Sequence, residues 1–478
     1  MPKKAQVPLS SIPARMEKPV NKKLRVDLMG MIQLLLNHLT PALCKTVFEE
    51  YRNTERERKW SFYAVNQFWA AMIIRNPPAI QHGLDQTRKG RGRSSKLWPR
   101  VMASPRAFYK KATGLCPHLF QLLYQAFMTR ILPKAPQSYV SWMKDLLKHF
   151  PEILVVDGSR LDAVNHRLGI LRHVRGKVLP GCLTVFYDLF RGISRHVLFY
   201  PDAAEAELPR AQGAMDWIIK GSLILGDRLY ASVQYFHLLA SLQLYGLFRK
   251  NGWLKIKRLK VISQKQGSRC FLEDVLVQVG CGRPYPKITL RLIRYRGRGR
   301  KLDLLISVLD PQKLSAVDAI SLYGQRWTIE RMFLDLKETL DLHTLYSSHP
   351  NLVAQQIFAA AMVHTAFRIA QAGIARKAKV LPEQISPAKL FPKLALAAND
   401  YSVAQQVVFK TKALNPGIKI QFPNWHTLST AYTKLESILV QHRNTRRRKK
   451  RFCASGIRWK SFAHVPGGPS LLKSITVG

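Results

Sequence analysis

Two short apolar runs that each end in an aspartate constrain the fold of this chain most. Ile153–Val156 is followed by Asp157, and Ser222–Gly226 is followed by Asp227. Short apolar runs bounded by turn residues are typical of buried strands. Functional residues of α/β sheets usually lie where such strands end, although an aspartate there is also a common turn or cap residue. The two runs therefore predict a sheet whose strand ends carry candidate site residues.

The surrounding segments predict an α/β domain with a mixed sheet, formed by residues 150–250 and 309–395. Other apolar runs predict strands at Leu183–Tyr187, His196–Tyr200 and Leu244–Arg249. Residues 251–308 alternate between apolar and polar side chains and predict a β-rich insertion in this domain. Helical periodicity returns at about Ala316–Leu342 and Leu352–Lys379.

The regions outside this domain differ in composition. Residues 1–20 are rich in proline and lysine and predict a disordered basic tail, whereas residues 21–149 predict a helical, DNA-binding region. Residues 396–478 form a basic C-terminal region. Basic clusters occur at Arg88–Arg93, Arg294–Lys301 and Arg446–Arg451. Such clusters either contact DNA or form solvated loops, and the sequence leaves both interpretations open.

The charge of the chain indicates its kind of partner. There are 76 Lys and Arg against 29 Asp and Glu, which gives a formal net charge of +47. A chain so basic repels itself unless a polyanion is its partner, and nucleic acid is the usual one. With 478 residues, 47% of them hydrophobic, the chain also has large cores. This composition argues against a simple coat protein for nucleic acid.

Cysteine usage and hydropathy bear on the compartment. The six cysteines are scattered and form no CxxC pair, which predicts a reduced, intracellular protein without a zinc module. The best membrane candidate, Ile357–Ile374, is interrupted by polar residues and is predicted to be a buried helix. We therefore expect a cytoplasmic, nucleoid-associated protein with no membrane partner.

A second constellation lies in the helical segment after the β-rich stretch. If the helix turns about 100° per residue, five side chains fall on one face about 100° wide. They are Tyr323, Arg326, Trp327, Glu330 and Lys337. The hydroxyl, guanidinium and ammonium are donors that can hold a phosphate beside the carboxylate. The alternative is a solvated charged face with i,i+4 pairs, which accounts poorly for the two aromatic residues.

Cleavage of DNA is a reaction in which carboxylates act as ligands of divalent metal ions. Two divalent metal ions about 3.5–4 Å apart can activate the attacking oxygen and stabilise the leaving one. Hard cations of this kind take oxygen ligands, and carboxylates supply them. Other acidic candidates in the region are Asp188, Asp216, Asp335 and Glu338. Asp335 lies off the face that carries Glu330, so Glu330 is preferred.

The pattern Tyr-x2-Arg-x3-Glu-x6-Lys, at Tyr323, Arg326, Glu330 and Lys337, resembles the Y-R-E-K signature of bacterial insertion-sequence transposases. These are DDE transposases of the insertion sequence four kind. Two looser motifs, Asp157-Gly-Ser and Asp227-Arg-x-Tyr, match the places of the family's two aspartates. The resemblance covers roughly residues 150–375 and includes the β-rich insertion.

The resemblance implies a ribonuclease-H-like catalytic domain that performs cut-and-paste transposition. Asp157, Asp227 and Glu330 would hold two Mg²⁺ ions, for which Mn²⁺ can substitute. Tyr323, Arg326 and Lys337 would bind the terminal 5′ phosphate, and Trp327 is a candidate to hold a flipped base. The implied partners are the terminal inverted repeats of the element and target DNA, with a homodimer assembled on the DNA.

Two other functions remain open at this stage. A nuclease of the same fold would share the carboxylates but would not transfer strands. A non-catalytic DNA-binding protein, architectural or degenerate, would need none of them. Metal-dependent nicking of DNA that carries the element's ends distinguishes these alternatives.

Overall fold

The computed structural model describes residues 30–88, 97–135, 141–160, 181–202, 206–267, 270–297, 300–342 and 345–398. The predicted N-terminal tail, most of the predicted C-terminal region and the Arg446–Arg451 cluster lie outside these ranges. Most of the first basic cluster, Arg88–Arg93, also lies outside them.

Six helices of the described ranges precede the sheet, and side-chain caps fix where several of them begin. They are α1 (Gly30–His38), α2 (Pro41–Tyr51), α3 (Phe62–Arg75), α4 (Ile80–Arg88), α5 (Pro105–Thr113) and α6 (Pro117–Ile131). Thr40, Ser61 and Ser104 each accept a hydrogen bond from the backbone N–H three residues later. These contacts satisfy amide groups that a helix leaves unpaired at its start.

The strands of the described chain form a single mixed sheet, which confirms the predicted mixed α/β class. They are β1 (Ile153–Arg160), β2 (Cys182–Asp188), β3 (Ile193–Tyr200), β4 (Leu223–Gly226), β5 (Tyr245–Arg249), β6 (Ile256–Gln266), β7 (Cys270–Val279), β8 (Ile288–Gly297) and β9 (Arg300–Ile306). Their order is β3-β2-β1-β4-β5-β9-β8-β7-β6. β4 pairs in parallel with β1 and β5, and the other neighbours are antiparallel. The strands of residues 251–308 thus extend the same sheet through the pairing of β5 with β9.

Alternate residues of β1 enter different cores, as expected for a strand with both faces covered. Ile153 and Val155 belong to the core shared with the N-terminal helices, whereas Leu154 and Val156 belong to the core on the other face. The second core includes residues of α7 (Glu207–Gln212) and α8 (Val233–Ser241). By the same alternation, Asp157 lies on the face of Val155.

The helices after the sheet pack on that first face. They are α9 (Ala316–Gly324), α10 (Thr328–Leu334) and α11 (Pro350–Ala378), and a further helix spans residues 387–398. The indole N–H of Trp69 in α3 donates to Gln355 Oε1 of α11 over 2.9 Å, and the Gln355 amide donates to Ala112 O over 2.6 Å. The helical region and the sheet therefore share one core and do not form separate ones.

α11 is long and apolar enough to cross a membrane by length and composition alone. However, 94% of its most apolar 18-residue window is buried inside the protein. Its neighbours are other helices and β3, with Arg368 donating to the carbonyl of Gly192 over 3.1 Å. It packs as a core helix of this fold.

The uniform helix assumed for Tyr323–Lys337 is wrong. α9 ends at Gly324, residues Gln325–Trp327 form a 3₁₀ turn, and α10 passes into a π-helical turn at Asp335–Thr339. Glycine is a weak helix former, which accounts for the end of α9 at that residue. A 3₁₀ turn has 3.0 residues per turn and a π turn has more than 3.6, so angles taken from an α-helix do not hold across them.

A buried ion pair joins the sheet to the segment before α9. Arg291 of β8 donates to Asp274 of β7 through two guanidinium nitrogens, and the side chains are only 0% and 2% exposed. The same guanidinium donates to the carbonyl oxygens of Val308 and Leu314, over 3.1 and 2.9 Å. This contact fixes where the chain leaves β9 and begins α9.

Candidate active site

Asp227 directly follows β4, as predicted, whereas the turn predicted at Asp157 is wrong, because β1 continues through Asp157 to Arg160 in its pairing with β2. β1 and β4 pair in parallel, with Val155 opposite Leu225, and each aspartate lies two residues beyond its member of that pair. The Oδ1 atom of Asp157 accepts from Gly158 N over 3.0 Å, and Asp227 Oδ1 accepts from Leu229 N over 2.7 Å. Parallel pairing thus brings together two aspartates that are far apart in the sequence.

The guanidinium of Arg326 lies among the carboxylates. Its Nη2 donates to Glu330 Oε1 over 3.1 Å, and its Nη1 is 3.9 Å from Asp157 Oδ2. Asp227 also acts on it electrostatically. The side chains of Arg326 and Asp157 are 13% and 23% exposed, so these contacts are little screened by water. One cation therefore contacts residues of β1 and α10 and also feels the charge of the aspartate that follows β4.

The site concentrates negative charge in a poorly solvated place. Burial raises the pKa of Asp157 to about 7, with further upward contributions from Glu207 and Glu330, while Arg326 and the Gly158 amide oppose the rise. Burial also raises the pKa of Glu330, against the effect of Arg326. Carboxylates held together in this way gain stability in the charged form from a nearby cation.

The remaining members of the predicted helical face lie around this guanidinium. Trp327 stacks beneath Arg326, with the guanidinium carbon 5.1 Å from the ring centroid. Burial raises the pKa of the Tyr323 hydroxyl, and the positive charge of the neighbouring Arg326 opposes this rise. Lys337 donates from Nζ to Ser159 Oγ over 3.1 Å and so reaches β1 two residues beyond Asp157. The broken helix still directs these side chains to the ends of β1 and β4.

The donors suit a divalent metal ion in kind, since all three acidic side chains offer hard oxygen atoms. Within the described ranges, however, no three His, Cys, Asp or Glu side chains form a group that could hold a metal ion. The Arg326 guanidinium is positioned among the carboxylates instead. Binding of metal ions by Asp157, Asp227 and Glu330 is accordingly a proposal.

The sequence analysis missed Glu207. Its Oε1 accepts a hydrogen bond from the buried Tyr230 hydroxyl over 2.6 Å, and its charge acts on Asp157. A Cβ atom added at Gly158 would lie 2.8 Å from the Glu207 carboxyl carbon. No motif marks Glu207, which begins a six-residue helix; the nearest signal is the Tyr230 of the Asp-Arg-x-Tyr motif.

Two of the competing acids have structural partners. Asp188 is buried, pairs with Arg191 over 2.7 Å and accepts from the backbone N–H groups of Phe190 and Arg191. Burial raises the pKa of Asp335 to about 6, against the effects of the positive charges of Arg368 and Arg331.

Comparison with known proteins agrees with this geometry. Residues 148–366, which contain β1, β4, α10 and every candidate site residue, match the family model of the transposase DDE domain. This part of the chain is thus similar to the transposase DDE domain. The matched residues overlap residues 150–375, which carry the Y-R-E-K resemblance, although the match does not single out that group.

A curated relative and a solved structure were also found. The chain is 26% identical over 192 residues to "Putative transposase y4zB" of Sinorhizobium fredii strain NGR234, an alignment that covers 38% of this chain and 54% of that protein. The chain thus spans about half the length of this relative. A cryo-EM structure of a piggyBac transposase synaptic complex with hairpin DNA aligns with 82% of this chain and 81% of that one, at 11% identity. Its TM-score of 0.34 is too low to carry any argument about this protein.

Proposed function

We propose that this protein is a DNA transposase whose DDE domain cuts the ends of a mobile element and joins them to target DNA. The observation that carries the proposal is that Arg326 contacts both Asp157 and Glu330 and feels the charge of Asp227, inside the residues that match the DDE domain. The parallel strands β1, β4 and β5, extended beyond β1 by the antiparallel pair β2 and β3, further support a ribonuclease-H-like fold. The Tyr323, Arg326, Glu330 and Lys337 spacing supports membership of the Y-R-E-K group.

In the proposed reaction Asp157, Asp227 and Glu330 would hold two Mg²⁺ ions, or Mn²⁺ in their place, and the chemistry these ions would supply is activation of a water and stabilisation of the leaving oxygen. The chain's own cations bind the DNA. Arg326 presents a planar fork that suits two phosphate oxygens, and Lys337 is a compact charge held near β1 by Ser159. Trp327 offers an aromatic face, on which a base can stack.

Metal-dependent nicking of DNA that bears the element's ends is the experiment that tests the proposal. Nicking and strand transfer with Mg²⁺ or Mn²⁺ would support a transposase. Nicking without strand transfer would favour a nuclease of the same fold, and DNA binding without nicking would favour a non-catalytic protein. We further propose a homodimer on DNA, a DNA-reading role for the helical region and a cytoplasmic, nucleoid-associated location.

We expect Arg326→Lys to slow strand transfer more than first-strand nicking. Lysine keeps the charge but loses the fork, and the later step requires the freed end to stay in place. A time course on end-labelled DNA that quantifies nicked and joined products separately measures both steps. Lys337→Ala is expected to share this pattern. Equal loss of the first nick in both variants would mean that these cations support the carboxylates or the fold instead.

The free edge of the sheet is expected to contribute to DNA affinity. β6 is the last strand in the sheet, and Lys257, Lys260 and Lys265 on it are exposed. Changing all three to glutamine should lower the slope of log affinity against log salt by up to about 0.9 for each phosphate that the strand no longer neutralises. A matched control changes Lys45 and Lys148, which pair with acidic neighbours in their own segments. An unchanged slope in the β6 variant would exclude this edge from the DNA-binding surface.

A further inference from the structure

A fourth carboxylate, that of Glu207, lies between β1, which carries Asp157, and the loop after β4, which carries Asp227. Glu207 begins α7, which packs in the core on one face of the sheet, whereas Ile329 beside Glu330 packs in the core on the other face. β1 and the loop after β4 are therefore flanked by a glutamate from each side.

The first contact of Glu207 is with β1. Its carboxyl group lies so close to Gly158 that a Cβ atom there would be 2.8 Å from the carboxyl carbon and 3.1 Å from Oε1. Because glycine has no side chain, the Glu207 carboxyl group can pack directly against the backbone of the residue that follows Asp157. A larger residue would force the carboxyl group to move.

The second contact is with the loop that follows β4. The Tyr230 hydroxyl donates to Glu207 Oε1 over 2.6 Å. The Tyr230 ring is fully buried and turns back beneath β4, since a Cβ atom at Gly226 would lie 2.8 Å from its Cδ2 atom. Asp227 is the first residue of this loop, so the hydrogen bond fixes the path of the backbone on which its side chain stands.

From these contacts we infer that Glu207 is a positioning residue, which holds β1 and the loop after β4 together so that Asp157 and Asp227 stay in the arrangement needed to bind metal ions. The inference rests on the proposed function. It also gives a physical role to Tyr230, the third residue after Asp227, because its hydroxyl donates the hydrogen bond to Glu207. A buried hydrogen bond to a carboxylate is one of the stronger polar contacts in proteins.

Four variants of the full-length protein test the inference. Tyr230→Phe removes the donor, and Glu207→Ala removes the acceptor. Glu207→Gln keeps an oxygen acceptor but removes the charge. Tyr235→Phe is the matched control, because Tyr235 lies in the same core, with its ring 5.3 Å from that of Tyr230, and its buried hydroxyl has no hydrogen-bond partner among the described residues.

The readouts are the dissociation constant for Mn²⁺ measured by electron paramagnetic resonance without DNA, the rate of nicking, and the melting temperature. We expect Tyr230→Phe and Glu207→Ala each to weaken Mn²⁺ binding about 10–100-fold, the usual effect of losing a residue that orients metal ligands. Glu207→Gln should stay within a few-fold of wild type. A fifth protein, with Tyr230→Phe and Glu207→Ala combined, should bind Mn²⁺ no more weakly than either single variant, because both changes remove the same hydrogen bond.

Each contrary outcome has a defined meaning. Tyr230→Phe behaving like Tyr235→Phe would overturn the inference, and so would a loss in Glu207→Gln as large as that in Glu207→Ala. If the melting temperature falls in parallel with the Mn²⁺ affinity in every variant, including Tyr235→Phe, these residues stabilise the fold and do not specifically position the aspartates. Wild-type protein that binds Mn²⁺ but does not nick DNA would overturn the proposed function and leave the positioning role standing.

Discussion

Replacing Glu330 with alanine is expected to reduce the initial rate of DNA nicking by more than about 100-fold, because residues that merely support metal ligands already cost about 10–100-fold. Glu330 lies beside Arg326 at the ends of β1 and β4 and is the carboxylate that α10 supplies. The measurement is the rate of nicked product on end-bearing DNA at saturating Mg²⁺.

The control for this prediction is Glu338→Ala, which removes an exposed acid from the same helical segment. It should nick at close to the wild-type rate. DNA affinity should be nearly unchanged in both variants, because the basic surfaces remain intact. A Glu330→Ala protein that cuts at close to the wild-type rate would show that this carboxylate does not belong to the catalytic set.

Replacing Asp274 with alanine is expected to lower the free energy of unfolding by about 3–5 kcal/mol. The change leaves the Arg291 guanidinium buried without its counter-ion, and a buried unpaired charge is among the costliest defects in a fold. Equilibrium denaturation of the two proteins measures the difference. Because Arg291 also holds the carbonyl groups before α9, we expect weaker order at α9 and α10 and slower nicking.

Asp303→Ala is the matched control, since the Arg296–Asp303 pair lies in the same part of the sheet but is 36% and 28% exposed. Its loss should cost about 0–1 kcal/mol. Changing Arg291 to methionine together with Asp274 to leucine should recover much of the stability, because the buried charge disappears with its partner. Equal costs for Asp274→Ala and Asp303→Ala would contradict the role assigned to the buried pair.

The sequence predicted the sheet well because its central strands are buried on both faces. Continuous apolar runs mark β1 and β4, and Asp227 directly follows β4. The first apolar run did not show where β1 ends, because the strand continues through Asp157 to Arg160 by pairing with β2. The alternating pattern of residues 251–308 likewise predicted strands. The pattern could not show that these strands extend the same sheet, because the sequence of a strand does not determine which other strand it pairs with.

Other features could not be predicted because they depend on tertiary contacts. The helical wheel placed Arg326 and Glu330 on one face, yet it assumed a uniform pitch that the 3₁₀ and π turns break. Arg326 was expected to contact phosphate, and nothing in its spacing showed that it would also face Asp157. Glu207 escaped notice altogether, since its role depends on a tyrosine from another segment and on the missing side chain of Gly158.

The order in which the chain is synthesised has a consequence for the host cell. Glu330 is encoded after every strand of the described sheet, whereas the two aspartates and much of the basic surface come before it. A nascent chain still on the ribosome, or a product of premature termination that ends before α10, therefore lacks one carboxylate of the set and also the core helix α11. Under the proposed function such a product would keep much of the positive charge but could not cut DNA, so incomplete synthesis would not damage the chromosome.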